Sequence, residues 1–160
     1  MLVVSSDISE QAKTLIYPSS RKFYKNEIKT VQEKVNDFLN GFLEKKTGLK
    51  VSFQFLYNRF LIFFIDDSNS SLKHDQLNAI AVFIQKLEKN YDVTLLDRMN
   101  ICFKQGEYVQ YKELKDLKSL LKNKALTGKS IVFDNTIDIK KDFDEFWETT
   151  LENSWYNRFL

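Results

Sequence analysis

The apolar residues of this 160-residue chain change their spacing several times, and each change indicates a new element of secondary structure. From Ile28 to Phe42 they recur every three or four positions, which predicts a helix with one buried face. From Leu49 to Tyr57 they alternate with polar residues, which predicts a strand with one wetter face. From Phe60 to Ile65 every residue is apolar, as in a central strand that is covered on both faces.

The same patterns predict the other elements. Lys13 to Tyr17 is a short strand, and the apolar residues from Leu77 to Tyr91 predict a second helix. The segments Met99–Phe103 and Glu107–Tyr111 form a hairpin around a Gln-Gly turn. The C-terminal part contains a helix over Leu114–Leu121, a strand over Ser130–Phe133 and a helix over Ile139–Trp147. The predicted helix caps are Asn26, then Ser71 or Asp75, and Asp138.

The order of the first six elements, β-α-β-β-α-β, is that of the ferredoxin-like fold. A C-terminal β-α extension follows. With four Gly and one Pro, the chain has no stretch that would serve as a linker. We therefore expect an α+β fold in a single domain over residues 1–160.

Composition narrows the function classes. The net charge of +2 is too small to indicate a nucleic acid or an anionic membrane as partner. Cys102 is the only cysteine, so no internal disulfide can form. No apolar run approaches the length of a membrane span, and the N-terminal residues do not resemble a signal peptide. These observations favour a cytoplasmic protein without membrane insertion.

No motif marks a reaction. Gly128-Lys129-Ser130 resembles the end of a phosphate-binding loop, but a helix precedes it and a strand follows it, which is the reverse of the required order. His74 is the only histidine, and no nucleophile motif accompanies it. One histidine and one cysteine make a transition-metal site improbable. We assign no catalytic residue or metal ligand and expect no cofactor.

The most suggestive feature is a repeated pentapeptide, Tyr57–Leu61 and Tyr156–Leu160. Each copy holds an Asn-Arg pair among aromatic residues, and the planar arginine fork suits carboxylate or phosphate. We expect Arg59, Arg158 and Trp155 to form one pocket for an anionic ligand or an acidic partner segment. The alternative is that each arginine binds a structural acid or carbonyl groups and that the aromatic residues belong to the core.

Asp97-Arg98 is a further candidate, either as an exposed site or as a local ion pair or turn. The candidate binding residues are Asn58, Arg59, Asp97, Arg98, Trp155 and Arg158. RNA-recognition domains share the ferredoxin-like order and stack bases on an aromatic third strand. Here the strand Phe60–Ile65 is aromatic, but the glycines of that motif are missing and both faces are apolar. Nucleic acid is therefore not an expected partner.

Taken together, these residues resemble a family of small uncharacterised Bacteroidetes proteins that often carry the label "ABC transporter ATPase". The segments that carry the resemblance are Ile16-Tyr17 with Ser19-Ser20-Arg21, Tyr57–Leu61, Asp97-Arg98-Met99, Ile131-Val132-Phe133 with Asn135, Trp147, and Ser154-Trp155 with Arg158-Phe159-Leu160. Relatives tend to show a Ser-Gly-Cys-Ser-Ile-Asp-like segment where this chain has His74–Asn78. The resemblance implies no established reaction, and the chain lacks the nucleotide-binding motifs that the label implies.

The sequence predicts a non-catalytic module that binds another protein or a small anionic ligand. Two alternatives stay open. The first is an enzyme of unrecognised type or a nucleotide-binding protein, as the family label suggests, and the second is an RNA-binding protein.

Overall fold

Two antiparallel sheets and four α-helices make up the computed structural model, which describes residues 1–44 and 48–160. The first sheet has the order β1 (Lys13–Pro18), β3 (Phe60–Asp66), β2 (Lys50–Leu56). The second has the order β5 (Tyr108–Lys112), β4 (Ile101–Gln105), β6 (Ile131–Phe133), β7 (Glu148–Thr150). The helices are α1 (Lys25–Leu43), α2 (His74–Tyr91), α3 (Leu117–Lys122) and α4 (Lys140–Phe146). Short 3-10 helices, among them Leu151–Asn153 and Trp155–Phe159, complete the chain.

The mixed α+β class is confirmed, but the ferredoxin-like arrangement is not. A ferredoxin-like core would hold the first four strands in one sheet. Here β4 pairs with β5 and β6 and so belongs to the second sheet. The open edge of β1 meets the C-terminal part at an antiparallel bridge between Lys13 and Ile139, beside which the Thr14 N–H donates to the Asp138 carbonyl and the Lys140 N–H to the Ala12 carbonyl.

The sheets and helices form successive layers around β3. The helices α1 and α2 cover one face of the first sheet, against side chains such as Val51, Leu61 and Phe63. The other face, with Ile62 and Phe64, packs against the second sheet and α4. All six residues from Phe60 to Ile65 are buried, which confirms the predicted covered strand.

The second sheet is likewise covered on two faces. Cys102 and Phe133 point toward the first sheet. Their neighbours along the strands, Ile101 and Val132, point to the far face, where α3 and the C-terminal 3-10 helices pack. Because successive side chains of a strand point to opposite faces, these two clusters lie on opposite sides of the sheet.

The predicted helix caps are wrong. Helix α1 begins at Lys25 with Tyr24 as its N-cap residue, and Glu27 Oε1 accepts the Tyr24 N–H at 2.8 Å. Helix α2 begins at His74, after the N-cap residue Lys73, and α4 begins at Lys140, after Ile139. Neither N-cap side chain accepts a hydrogen bond from the helix. In α1 and α2, a side chain of the first turn, Glu27 and Gln76 respectively, accepts the N–H of the N-cap residue.

Within the described residues, no helix combines the length and the apolar character that crossing a membrane requires.

Candidate functional site: the cleft beside β5

Among the described residues, no strand neighbours the outer edge of β5, the second strand of the hairpin with β4. The two-residue loop of this hairpin, Gly106-Glu107, has Gly106 at φ +63°, and Gln105 pairs with Tyr108 at its mouth. In such a hairpin the closing pair exchanges both backbone hydrogen bonds, and the bonding then alternates along the strand. The N–H and C=O groups of Val109 and Tyr111 therefore point outward from the sheet.

A tight turn between β2 and β3 places Arg59 next to this edge. Tyr57 and Asn58 both adopt left-handed conformations, with φ of 55° and 51°, as the central residues of a type I′ turn do. The Arg59 N–H donates to the Leu56 carbonyl at 3.0 Å and closes the turn. The Asn58 carbonyl accepts a bond from the Phe23 N–H, which attaches the segment after β1 to the turn.

The Arg59 side chain spans the space between that segment and β5. Nη1 donates to the Ser19 carbonyl at 2.9 Å, and Nη2 donates to the Val109 carbonyl at 3.3 Å. The residue is only 8% exposed. The guanidinium therefore forms the floor of a space that we call the β5 cleft, bounded by β5 on one side and Ser19–Lys22 on the other.

The positive charge of Arg59 has no carboxylate partner among the described residues. The acidic groups that face it are Cys102 and Tyr111. Burial raises the pKa of Cys102 to about 12 and raises that of Tyr111 above its usual value, so both are neutral at pH 7. Burial lowers the pKa of Arg59 below its usual value, because burial disfavours the charged form.

At the Arg59 end, the cleft widens into a cavity of about 180 Å³. The turn Tyr57–Arg59 and the β5 residues Tyr108 and Val109 line it, together with the exposed side chains of Lys22 and Glu107. Two cations and one carboxylate therefore surround the cavity. An anion of small size fits this charge and this volume.

At the other end of β5, a more open cavity of about 460 Å³ includes Asp97, Asn100 and Tyr111 in its lining. The Asn100 Nδ2 donates to Asp97 Oδ2 at 3.0 Å and to the Tyr111 hydroxyl at 2.7 Å. Asp97 Oδ1 also accepts the Met99 N–H at 3.1 Å. The Asp97 carboxylate is thus used in a local turn, which was one of the two predicted roles.

Arg98 lies apart from the cleft lining. It is half-buried, and no hydrogen bond or ion pair to it is present within residues 1–44 and 48–160. Its charge acts on Tyr17: burial raises the pKa of that phenol to about 12, and Arg98 opposes the rise.

The second copy of the repeated pentapeptide lies elsewhere. The Arg158 guanidinium stacks 4.2 Å above the Trp155 ring, and its Nε donates to the Trp155 carbonyl at 3.0 Å. Trp155 packs on the far face of the second sheet, whereas Arg59 faces Cys102 on the near face. The expected joint pocket of Arg59, Arg158 and Trp155 is therefore wrong, and the two arginines lie on opposite sides of one sheet.

Sequence reasoning missed the part that β5 plays. It predicted the hairpin, but only the strand order shows that β5 is an edge strand, which leaves the Val109 N–H and both backbone groups of Tyr111 without a partner among the described residues. It also missed the link between the sheets at Tyr57, whose hydroxyl donates to Glu148 Oε1 and whose ring contacts Phe133 at 5.2 Å. Both contacts join positions far apart in the chain, so no local sequence pattern predicts them.

Two further findings bear on the kind of site. Within the described residues, no group of three or more His, Cys, Asp or Glu side chains is arranged to hold a metal ion. Both faces of β3 are covered, so its aromatic side chains cannot stack on RNA bases.

Comparison of the chain with protein-family models, with curated proteins and with solved structures gave no match.

Proposed function

We propose that this protein is a non-catalytic module that binds a carboxylate, carried by another protein or by a small acid, over Arg59. The observation that supports the proposal is that Arg59 is buried, has no carboxylate partner among the described residues, and lines a cavity. A buried charge is costly unless it is paired, and two carbonyl bonds leave part of the five-donor guanidinium fork unused. A bound carboxylate supplies both the missing charge and two acceptor oxygens.

The size of the cavity favours a single anionic group over a whole nucleotide. Pockets for drug-sized ligands measure roughly 300–1,000 Å³, and the Arg59 cavity measures about 180 Å³. This difference argues against the nucleotide-binding alternative that the family label suggests. An enzyme of unrecognised type stays an alternative without a supporting observation, since the cavity lining contains Glu107 as its one carboxylate within the described residues.

We propose further that the expectations from the sequence about location, relatives and the order of the first elements hold. The protein acts in the cytoplasm, where its buried cysteine stays reduced. It is related to the Bacteroidetes family named above, and its first six elements derive from a ferredoxin-like order.

Thermal unfolding with acetate tests the proposal, because a ligand that binds only the folded state raises the midpoint. At ten times its dissociation constant, acetate stabilises by about 1.4 kcal/mol, or roughly 3–5 °C for a chain of this size. Sodium chloride at equal ionic strength serves as the reference. The expected result is a rise in the wild type and in Arg158→Gln, and none in Arg59→Gln.

Arg158→Gln is a matched control because it changes the same residue of the repeated pentapeptide at an exposed position. An equal acetate effect in all three proteins would refute the proposal. If Arg59→Gln does not fold, Glu107→Gln provides the second comparison. Removing that carboxylate from the cavity should strengthen the acetate effect, and an unchanged effect counts against the site.

A further inference from the structure

The outer edge of β5 offers backbone groups as well as the Arg59 charge. By the hairpin geometry, Val109 and Tyr111 direct their N–H and C=O groups away from β4. Among the described residues, the Val109 carbonyl accepts the bond from Arg59, and no hydrogen bond from outside the hairpin reaches the Val109 N–H or the backbone of Tyr111. Three backbone groups therefore stay available in a row.

There is space beside these groups. The cavity at Arg59 includes Val109 in its lining, and the larger cavity includes Tyr111. Ser20 and Lys22, on the opposite wall, line one cavity each. The two cavities thus lie at the two ends of the same strand edge, and the Arg59 guanidinium lies between the walls at the Val109 end.

Val109 and Tyr111, the two outward-facing positions on this edge, fit different hydrogen-bonding partners. Tyr111 offers one donor and one acceptor, which is what a residue of an adjacent strand needs. At Val109 the carbonyl is already bonded to Arg59, so the free groups there are donors, the Val109 N–H and the guanidinium. A group that only accepts hydrogen bonds fits this position, and a carboxylate is such a group.

We propose, building on the carboxylate function above, that the ligand is the extended C-terminal end of another protein, added as an antiparallel strand beside β5. Every pair in the second sheet is antiparallel. Because β5 runs from Tyr108 to Lys112, an antiparallel neighbour ends at Val109, beside Arg59. Its penultimate residue pairs with Tyr111, and its terminal carboxylate accepts from the Val109 N–H and Arg59.

The charges agree with this polarity. Arg59 and the exposed Lys22 lie at the end where the carboxylate is placed, opposed by Glu107. At the Tyr111 end, Asp97 is bonded to Asn100, and Glu113 forms an ion pair with Lys115 at 2.8 Å. Among the described residues that line the two cavities, the cations without an ion pair are thus Arg59 and Lys22, and both lie at the Val109 end, which is where a C-terminal carboxylate must lie.

Four synthetic peptides test the inference through ¹H–¹⁵N NMR titration of the full chain, with the backbone signals of Val109 and Tyr111 as reporters. The parent is acetyl-Thr-Val-Thr-Val with a free C-terminal acid. The second peptide carries a C-terminal amide. The third is N-methylated at the penultimate residue, whose N–H must donate to the Tyr111 carbonyl. The fourth is N-methylated at the last residue, whose N–H points away from β5.

The amide and the penultimate N-methyl peptide should each bind about tenfold more weakly than the parent. The peptide methylated at the last residue should bind within about twofold of the parent and serves as the matched control. Equal binding of all four peptides, or equal loss with both methylated peptides, would overturn strand pairing.

The titration also separates this inference from the proposed function. If acetate shifts the signals around Arg59 but no peptide does, the strand is wrong and the carboxylate site stands. If neither acts, both fail. A concentration-dependent shift of the Tyr111 signal without peptide would show that a second copy of this chain occupies the edge, and it would overturn a partner's C-terminus as the ligand.

Discussion

The turn that presents Arg59 predicts an unusual order of stability for two substitutions at Tyr57. Tyr57 has φ of 55°, a conformation that residues with a Cβ atom rarely adopt. Tyr57→Ala and Tyr57→Gly both remove the ring, which is 41% exposed and lies against Phe60, Phe133 and Trp147. We expect this shared loss to cost about 2 kcal/mol, below the cost for a fully buried ring.

The difference in unfolding free energy between the two variants isolates the contribution of the backbone conformation at position 57. A left-handed conformation costs a residue with a Cβ atom roughly 1–2 kcal/mol, and glycine is free of that cost. Glycine also gains about 0.5–1 kcal/mol of freedom in the unfolded chain, which opposes folding. Tyr57→Gly should therefore be more stable than Tyr57→Ala by about 0.5–1 kcal/mol. At an ordinary helical position such as the exposed Ala79 of α2, the order is reversed.

Urea unfolding followed by tryptophan fluorescence measures both pairs, because Trp147 is buried beside Tyr57. The expected result is opposite signs, with glycine favoured at position 57 and alanine favoured at position 79. If alanine is favoured at both positions, the left-handed turn is not formed in solution, and the placement of Arg59 beside β5 loses its basis.

Three other predictions follow from single contacts. Trp147→Phe should lower the free energy of unfolding by urea by about 2–4 kcal/mol, since it leaves a cavity and removes the 2.9 Å bond from the indole Nε1 to the buried Asn135. The double variant with Asn135→Leu should lose less than the sum of the two single losses, and strict additivity would contradict a coupled pair. The hydrogen bond from Arg21 lowers the pKa of Glu27, so its stabilisation is present above the unfolded pKa and lost as pH falls through the folded value; the stability gap to Glu27→Gln should shrink from pH 6 to pH 3, and a constant gap would disprove the linkage. Glu107→Gln should bind acetate about twofold to threefold more tightly by NMR titration, with weaker binding as the contradicting result.

Local patterns predicted most of the elements, but they missed the strand β7 and did not predict the assembly. The strand over β2 and the helix over α1 follow from the spacing within short segments, and both elements are confirmed. The predicted wetter face of β2 is wrong, since Ser52 on that face is buried. The division into two sheets depends on which distant strand pairs with β4. Its partner β6 lies about thirty positions along the chain, where Cys102 meets Phe133. No spacing within one segment encodes that choice.

The site shows the same limit in its chemistry. The sequence singled out Arg59 because of its aromatic neighbours, and the structure places this residue in a cleft. It also singled out Arg158 in an identical pentapeptide, yet this side chain is exposed and stacked on Trp155. The five identical residues form a turn that leads into β3 in one copy and most of a 3-10 helix in the other, because the surrounding chain decides their conformation. Burial and missing counter-charge are properties of the assembled fold.

The most direct test of the central claim observes the Arg59 guanidinium itself. In ¹⁵N-labelled protein, the Nε–Hε signal of Arg59 is assigned by its loss in Arg59→Lys, and that of Arg158 by its loss in Arg158→Lys. Titration with acetate at constant ionic strength should shift the Arg59 signal along a saturable curve, while the Arg158 signal stays within the drift seen with chloride. Saturable shifts of both signals, or of neither, would contradict a carboxylate site over Arg59.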